Sequence, residues 1–428
     1  MAADTLQVNN IQREAQGQIA SLPAPGAPDE AWRRVPLEPI SALLQNQSAA
    51  SQLKSGRVDM YADNTLLSPL DTSVGGVSPV VKRWRELESL RQEHRLERPN
   101  DIEQNQLFAY PLAYAQSIYQ LKIAAENSTE TIQIDIRLNS NETDGVLTPI
   151  YYFPVLLIHA EKNSSASIQI KLHLSEKSQK AVMLSRTVLL LEDGATVDYQ
   201  DASAATNTTN TTAGVNIAAE SHTQPLTAGY QLEQAYLGRD AKLRIGREIG
   251  SFETGMHDGR YALQGRGAHL EEYTLMQAGD TGSSDRTFCG QKSVVEQYAP
   301  HTMSNVETRS ILDAAAHGMF VGTIKIPTGA PGSTGHEQHR SLLLSPQSRI
   351  ESLPELEIVE NDVSCSHGST VTELDPESRY YLESRGISRE DTRVLLTAAF
   401  TDQLRSRMPG AQFELNELEY VEEESSSE

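Results

Sequence analysis

Val363-Ser-Cys365-Ser-His367-Gly368 is the segment of this chain best suited to chemistry. In an extended backbone side chains repeat every second residue, so the thiol of Cys365 and the imidazole of His367 share one face. Their α-carbons then stand about 7 Å apart, close enough to ligate one soft or borderline metal together. A nearby imidazolium would also lower the thiol pKa and favour the thiolate. The spacing suits a Cys–His hydrolase poorly, because such sites draw the two residues from separate elements and add a third orienting group. Cysteine is also a common small buried residue. Spacing alone therefore leaves a ligand pair and a packed filler equally open.

Other candidates are weaker. Histidines gather late, at His301, His317, His336, His339 and His367. His336-Glu-Gln-His339 has the spacing of helical metal ligands, but it follows a glycine loop and precedes the apolar Leu342–Leu344, so polar loop residues are expected. Gly329-Ala-Pro-Gly-Ser-Thr-Gly335 lacks the lysine of a phosphate-binding loop and carries a proline, which favours a surface loop. No Gly-x-x-x-x-Gly-Lys-Ser/Thr, Gly-x-Ser-x-Gly or His-Glu-x-x-His occurs. The two cysteines, Cys289 and Cys365, exclude a disulfide framework and a four-thiolate zinc or Fe–S site built from this chain alone.

Charge narrows the partners. Lys+Arg number 36 against 58 Asp+Glu, a net −22, which opposes binding to phosphate backbones or anionic membranes. No nucleic acid and no membrane partner is expected. The best apolar run, Tyr151–Ala160, is far too short to span a bilayer. Met1-Ala-Ala-Asp-Thr lacks the basic and apolar regions of a signal peptide, so a reducing, cytoplasmic setting is expected. The sequons Asn207-Thr-Thr and Asn210-Thr-Thr then read as chance products of a polar loop.

The elements that must hold these residues change texture three times. Leu6, Ile11, Ala15 and Ile19 fall near helical spacing before the breaker Pro23–Pro28. Trp84, Leu87, Leu90 and His94 mark one face of a charged helix ending at Pro99, its Arg/Glu run read as solvated. From about residue 111 the period becomes two: Ile132, Ile134, Ile136 and Leu138 alternate with polar residues, as do Ile168, Ile170, Leu172 and Leu174. A phrase of strand, short turn with a small residue, and strand recurs around Ala195, Ala241 and Ala268, and more loosely around Ala316 and Ser348. The intervals of 46, 27, 48 and 32 residues fit one or two units of a coil of mid-twenties length. A parallel β-helix explains this better than a sandwich, because hairpin turns are sparse. Ser203–Gly214 reads as an excursion from the coil. Near Leu374 helices return: Asp375 caps one with Pro376 at its first position and Gly386 at its end, and Ser388 with Asp391 starts a second, lined by Val394, Leu395, Ala398 and Leu404. The tail Glu422–Glu428 reads as acidic and disordered.

Glu355-Leu-Glu-Ile-Val-Glu-Asn-Asp-Val-Ser-Cys-Ser-His-Gly-Ser-Thr-Val-Thr-Glu-Leu-Asp375, followed by Tyr380-Tyr-Leu-Glu-Ser-Arg-Gly-Ile-Ser388, closely resembles the SufB/SufD family. These are β-helix subunits of the Suf iron–sulfur cluster assembly machinery. Tyr298-Ala-Pro-His-Thr302 and Ser341-Leu-Leu-Leu-Ser345 match the same family, and Glu30-Ala-Trp-Arg33 resembles its N-terminal signature. The Cys-Ser-His-Gly spelling resembles the SufD branch, where SufB-type chains read Cys-Glu-His and carry further cysteines. Two departures stand out. The family often reads near His-Gln-x-Asn-Arg-Asn where this chain has His336-Glu-Gln-His-Arg-Ser341, and a basic residue is common where this chain has Thr323.

The resemblance implies a mainly β fold, a right-handed parallel β-helix over residues 111–371. An N-terminal helical or irregular domain (1–110) and a C-terminal helical domain with an acidic tail (372–428) would flank it. It implies a non-catalytic scaffold subunit whose partners are a SufB-like β-helix subunit and a SufC-like ATPase. The ATPase would dock on Val394, Leu395, Leu396 and Phe400. Cys365 and His367 would meet the SufB-like subunit, which must supply the remaining ligands, because two side chains leave a tetrahedral metal short. No cofactor is expected on this chain alone; iron or a nascent Fe–S cluster is expected at that interface. A homodimer in the absence of the SufB-like subunit stays open, as does a SufB-like cluster scaffold. The enzyme-class alternative is a β-helix carbohydrate-active enzyme, which would need a secretory route and catalytic acids on a groove.

Overall fold

The computed structural model describes residues 12–19, 35–40, 57–63, 65–67, 79–93, 106–125, 131–139, 150–174, 181–204, 226–250, 252–279 and 287–410. Leu6, Ile11, Pro23–Pro28, Glu30–Arg33, His94, Pro99, the sequons and the acidic tail lie outside them.

Strand β1 (Arg57–Ala62) and β2 (Thr65–Leu66) form a hairpin. The first coils follow: β3 (Ile118–Ile123), β4 (Thr131–Asn139), β5 (Ile150–Tyr152), β6 (Val155–Ala160) and β7 (Ser165–Leu174). The middle coils are β8 (Ala181–Leu191), β9 (Thr196–Ala204), β10 (Leu226–Leu237), β11 (Lys242–Ile249), β12 (Phe252–Leu263) and β13 (His269–Ala278). The last are β14 (Phe288–Gln297), β15 (Met303–Leu312), β16 (His317–Ile326), β17 (Ser333–Leu343), β18 (Arg349–Ile358) and β19 (Val363–Glu373).

From β6 onward, successive strands fall alternately into two sheets, and each pairs in parallel with the strand two places on. That connectivity is a two-sheeted parallel β-helix. The period-two segments become stacked rungs: Ile132 pairs with Ile168, Ile134 with Ile170 and Ile136 with Leu172. One side of each strand fills the lumen, whose apolar core runs from Val58 and Met60 at one end to Phe320 near the other. Burying such a continuous column is what makes single coils, unstable alone, stable together.

The recurring phrase is resolved by its edges. Ala195, Ala241 and Ala268 are fully buried in turns along one edge, and Thr196 pairs directly with Lys242. The 46-residue interval is therefore one coil, enlarged by its passage through residues 205–225, not two units. Ala316 and Ser348 lie in turns on the opposite edge, so the 48-residue interval is about one and a half coils. Along the first edge Asn163, Gly194, Asp240, Gly267, His301 and Gly332 all take positive φ. Each donates its N–H to a carbonyl of the next turn, ending with Gly332 on Asp362. Gly, Asn and Asp tolerate this left-handed conformation best; His301 holds it within the stack.

The two ends of the β-helix differ. At the N-terminal end β1 lies antiparallel on β4, Met60 is fully buried, and Tyr119 Oη donates to Val58 O at 2.9 Å. At the other end β18 and β19 have no further strand partner among the described residues. β1 and β2 lie within the stretch read from sequence as helical or irregular.

Helices cover the outer faces. The 12–19 helix buries Ala15 and Ile19. The Pro79–Glu93 helix packs through Val80, Val81 and Leu87, while Leu90, expected on that face, is 43% exposed. Its charges are not all solvated: Arg91 is buried against Glu296, Glu88 accepts from Tyr236, and Arg186 stacks on Trp84. Asp375 caps the Pro376–Ser384 helix by accepting from the Glu377 and Ser378 N–H groups, and Gly386 follows it at φ 88°. Ser388 caps the Arg389–Arg405 helix by accepting from Asp391 N. The buried face of this last helix is Thr392, Thr397, Thr401 and Leu404; Leu395 is exposed and Val394 half-buried.

Candidate functional site

Parallel pairing sets inward side chains one rung apart, so they stack in columns. One column runs Tyr199, Ile245, Glu272, Val306, Glu337 and His367. Its neighbour runs Asp201, Arg247, Thr274, Thr308, His339 and Ser369, and a third ends on Gly335 and Cys365. Cys365 and His367 thus share the lumen side of β19, above which no rung lies among the described residues.

Their environments differ. Cys365 is half-buried against Ile324, Ile326 and Ala330, and this burial pushes its thiol up, with the Gly335 N–H acting in the opposite direction. The thiolate-favouring effect expected of a neighbouring imidazolium is not what governs it; apolar packing wins. His367 is exposed. The pair has the soft and borderline donors that iron or zinc accepts. Among the described residues no three His, Cys, Asp or Glu side chains already converge to hold a metal ion.

Directly below His367 in register is Glu337. It is 3% exposed, and neither carboxylate oxygen has a hydrogen-bond partner. Burial, with the charges of Glu355 and Glu272, pushes this carboxyl up to about 8. Its oxygens lie across the lumen against Gly322, where an added Cβ would come within 2.1 Å of Oε1.

The His336/His339 spacing holds no metal, because the segment is a strand and the two rings face opposite ways. His336 is exposed and meets Ser366 Oγ at 2.8 Å. His339 is fully buried between Ser310 Oγ at 2.7 Å, Ser352 Oγ at 2.8 Å and the Phe320 ring. Burial drives its pKa down to about 3, so it is neutral in the folded chain. The unfolded chain takes up a proton near the ordinary pKa of about 6.5. Stability carried by this site is therefore present above about pH 6.5 and falls as pH drops towards 3, by up to about 1.4 kcal/mol per pH unit. His339→Asn, which cannot titrate, should flatten that part of a urea-midpoint-against-pH curve. An unchanged acid limb would show that other groups set it.

The glycine-rich turn at 329–332 already holds an anion of its own chain. Gly329 N donates to Glu360 Oε2 at 2.9 Å, and several backbone N–H groups lower the Glu360 carboxyl. A phosphate cradle is thereby replaced by a turn-closing contact.

Deeper in the lumen lies a buried ionic cluster. Arg247 donates to Glu272 at 2.8 Å and to Glu233 at 2.7 Å, with Asp201 at 3.9 Å. Tyr261 Oη bridges the same two glutamates at 3.0 and 2.8 Å, Ser293 donates to Glu272 at 2.5 Å, and Gln291 links Glu272 to Thr308. Sequence reading missed this cluster and Glu337. Only the alternation of single charged residues within apolar strands hints at them, and it does not say which rungs meet.

The expected docking residues are spread around the Arg389–Arg405 helix. Leu395 is 38% exposed, Val394 and Leu396 are half-buried, and Phe400 packs on the β-helix beneath Arg309. Leu404 and Met408 anchor the helix on Tyr273, Leu275, Ile311 and Leu342. Ion pairs Arg405–Glu248, Arg407–Glu307 and Arg393–Asp313 flank this contact.

Comparison with known proteins bears on this arrangement. A family model described as SUF system FeS cluster assembly, SufBD core domain, matches residues 140–400. The iron–sulfur cluster assembly protein SufD of Bacillus subtilis is 25% identical over 277 residues, covering 59% of this chain and 60% of that protein. SufD of Escherichia coli is 25% identical over 200 residues, 44% of this chain and 46% of its own. An iron–sulfur cluster assembly SufBD family protein of Synechocystis is 36% identical over 110 residues, 26% of this chain and 24% of that one. The chain thus spans less than two thirds of the length of each of these relatives. Among the described residues no helix is long and apolar enough to cross a membrane.

Proposed function

The chain belongs to the SufBD core-domain family of the SUF iron–sulfur cluster assembly system, and we propose that within it the chain acts as a SufD-type, non-catalytic scaffold. In this reading it pairs through the open end of its β-helix with a SufB-like β-helix subunit and engages a SufC-like ATPase through its last helix. The observation that carries the reading is the placement of Cys365 and His367 on the lumen side of β19, at an end with no further rung among the described residues. A thiolate and an imidazole there supply two ligands to iron or a nascent cluster, and the partner supplies the rest. The cluster is cargo, passing on to other proteins.

Cys365 must lose its proton to ligate. Its raised thiol keeps it protonated until a metal arrives, which protects an exposed edge from adventitious oxidation. The ATPase side rests on the exposure of Leu395 and of Tyr380 and Tyr381, 75% and 57% exposed on the preceding helix. Exposed large apolar side chains of this kind mark interaction surfaces.

The test is to purify the complex formed in cells with Cys365→Ala or His367→Ala and to measure iron and acid-labile sulfide per complex. Each variant should lower both several-fold while the isolated chain melts as the wild type does. Equal cluster content would remove the pair from the mechanism. Charged residues in place of Leu395 and Leu396 should abolish co-purification of the ATPase; retention would place the docking surface elsewhere.

A further inference from the structure

We infer that Glu337 supplies an oxygen ligand to a divalent-cation site completed on this chain by Cys365 and His367, so that the last two coils together form a three-donor S/N/O pocket. This rests on the reading of Cys365 and His367 as ligands and extends it to a residue one rung below.

The first argument is the state of the carboxylate. Glu337 is 97% buried by its 3% exposure, and both of its oxygens lack a hydrogen-bond donor. Buried carboxylates are otherwise paired, and one left bare calls for an explanation such as an ion. The same lumen shows the ordinary solution: Glu233 and Glu272 share Arg247 and Tyr261. No such cation serves Glu337. The charged groups that act on it, Glu355 and Glu272, are both acidic.

Register provides the second argument. Glu337 pairs with His367 and Gly335 with Cys365, all on lumen-facing positions. Neighbouring rungs are about 4.8 Å apart and alternate residues about 7 Å apart, so the three α-carbons form a triangle that side chains of these lengths can close on one ion. Gly335 leaves the rung below Cys365 without a side chain, and Gly322 leaves the facing wall clear for the Glu337 carboxylate. The groups are not yet at bonding distance. His367, exposed on β19 with no rung above it among the described residues, would be the one to turn inward.

The third argument is chemical. A thiolate and a carboxylate carry two negative charges between them and, with a neutral imidazole, balance a divalent ion. A mixed S/N/O set suits Fe(II), Zn(II) or Co(II) and disfavours Mg(II) or Ca(II). A fourth position stays open to water or to the partner.

Cobalt(II) is titrated anaerobically into the full chain, following the thiolate-to-cobalt charge-transfer band and the ligand-field bands, with zinc(II) affinity measured by calorimetry. Wild type should bind one ion. Glu337→Gln should weaken both metals by about tenfold or more, keep the charge-transfer band at saturation and alter the ligand-field bands. Cys365→Ala should abolish the charge-transfer band. If Glu337→Gln binds as wild type while Cys365→Ala and His367→Ala do not, Glu337 is no ligand and the pair reading survives. If the wild type binds neither metal, or if all variants bind as it does, the three-donor site falls, and the pair reading is then decided by the iron and sulfide content of the complex. Thermal melts accompany each titration, and Glu337→Met replaces the glutamine variant should the latter not fold.

Discussion

Replacing Arg247 with methionine should destabilise the chain by about 3–5 kcal/mol, the cost of breaking a buried ion pair by removing one partner. The Arg247 side chain is fully buried, with Glu233 and Glu272 within hydrogen-bonding distance and Asp201 just beyond. Methionine matches much of its length but leaves the carboxylates facing one another in a buried lumen. They must then take up protons or draw in water, and either costs free energy at neutral pH. The loss should shrink as pH falls, because protonation removes the repulsion. Comparing urea midpoints at pH 7.5 and 5.5 reads this directly. Arg247→Met combined with Glu233→Gln and Glu272→Gln should recover most of the loss, since removing a whole buried ionic group is often near neutral. A single variant as stable as the wild type would mean that water already screens the cluster.

The second large effect is expected at Leu404. This side chain is fully buried between the last helix and the outer face of the ten-stranded sheet, with Met408 and half-buried Phe400 beside it. Truncating a buried leucine costs about 2–5 kcal/mol, and Leu404→Asp adds the desolvation of a charge. The cost should fall on the docking of the helix, because the β-ladders beneath pair without it. Far-UV circular dichroism should change little, while limited proteolysis after Leu374 should become fast. If the last helix docks an ATPase as proposed, co-purification of that partner should fail together with it. Protease resistance equal to wild type would mean that the three flanking ion pairs hold the helix by themselves. Leu404→Ala should show the same pattern more weakly.

The β-helix was legible because its rungs are written locally. Ile132, Ile134 and Ile136 announce an inward face, and stacking merely adds Ile168, Ile170 and Leu172 above them. Helix caps were legible for the same reason: Asp375 and Ser388 act within three residues of themselves. The coil length was blurred because turns on both edges look alike in sequence, so Ala268 and Ala316 were joined although they lie on opposite sides. The packed face of the last helix was misjudged at Val394 and Leu395. Threonines 392, 397 and 401 occupy that face, where a short side chain lets the helix approach the sheet. Cys365 and His367 could be put on one side by alternation alone. Glu337 could not, because its importance lies in pairing with a residue 30 positions on, and register across a turn of variable length is not local information.

The two ends of the β-helix present different strands to anything that would meet them. β1 runs antiparallel across the N-terminal end and plugs the lumen with Met60, whereas β18 and β19 offer free edges. An open rung is a template for another strand; among the described residues β18 and β19 end the two sheets on one side, and β3 and β2 end them on the other. The glutamates along β18 turn back on the preceding rung: Glu351 meets His317, Glu357 meets Lys325 and Glu355 accepts from Thr323. A body docking on the C-terminal end would have to extend both sheets at once, because β18 and β19 end the two sheets in one and the same coil.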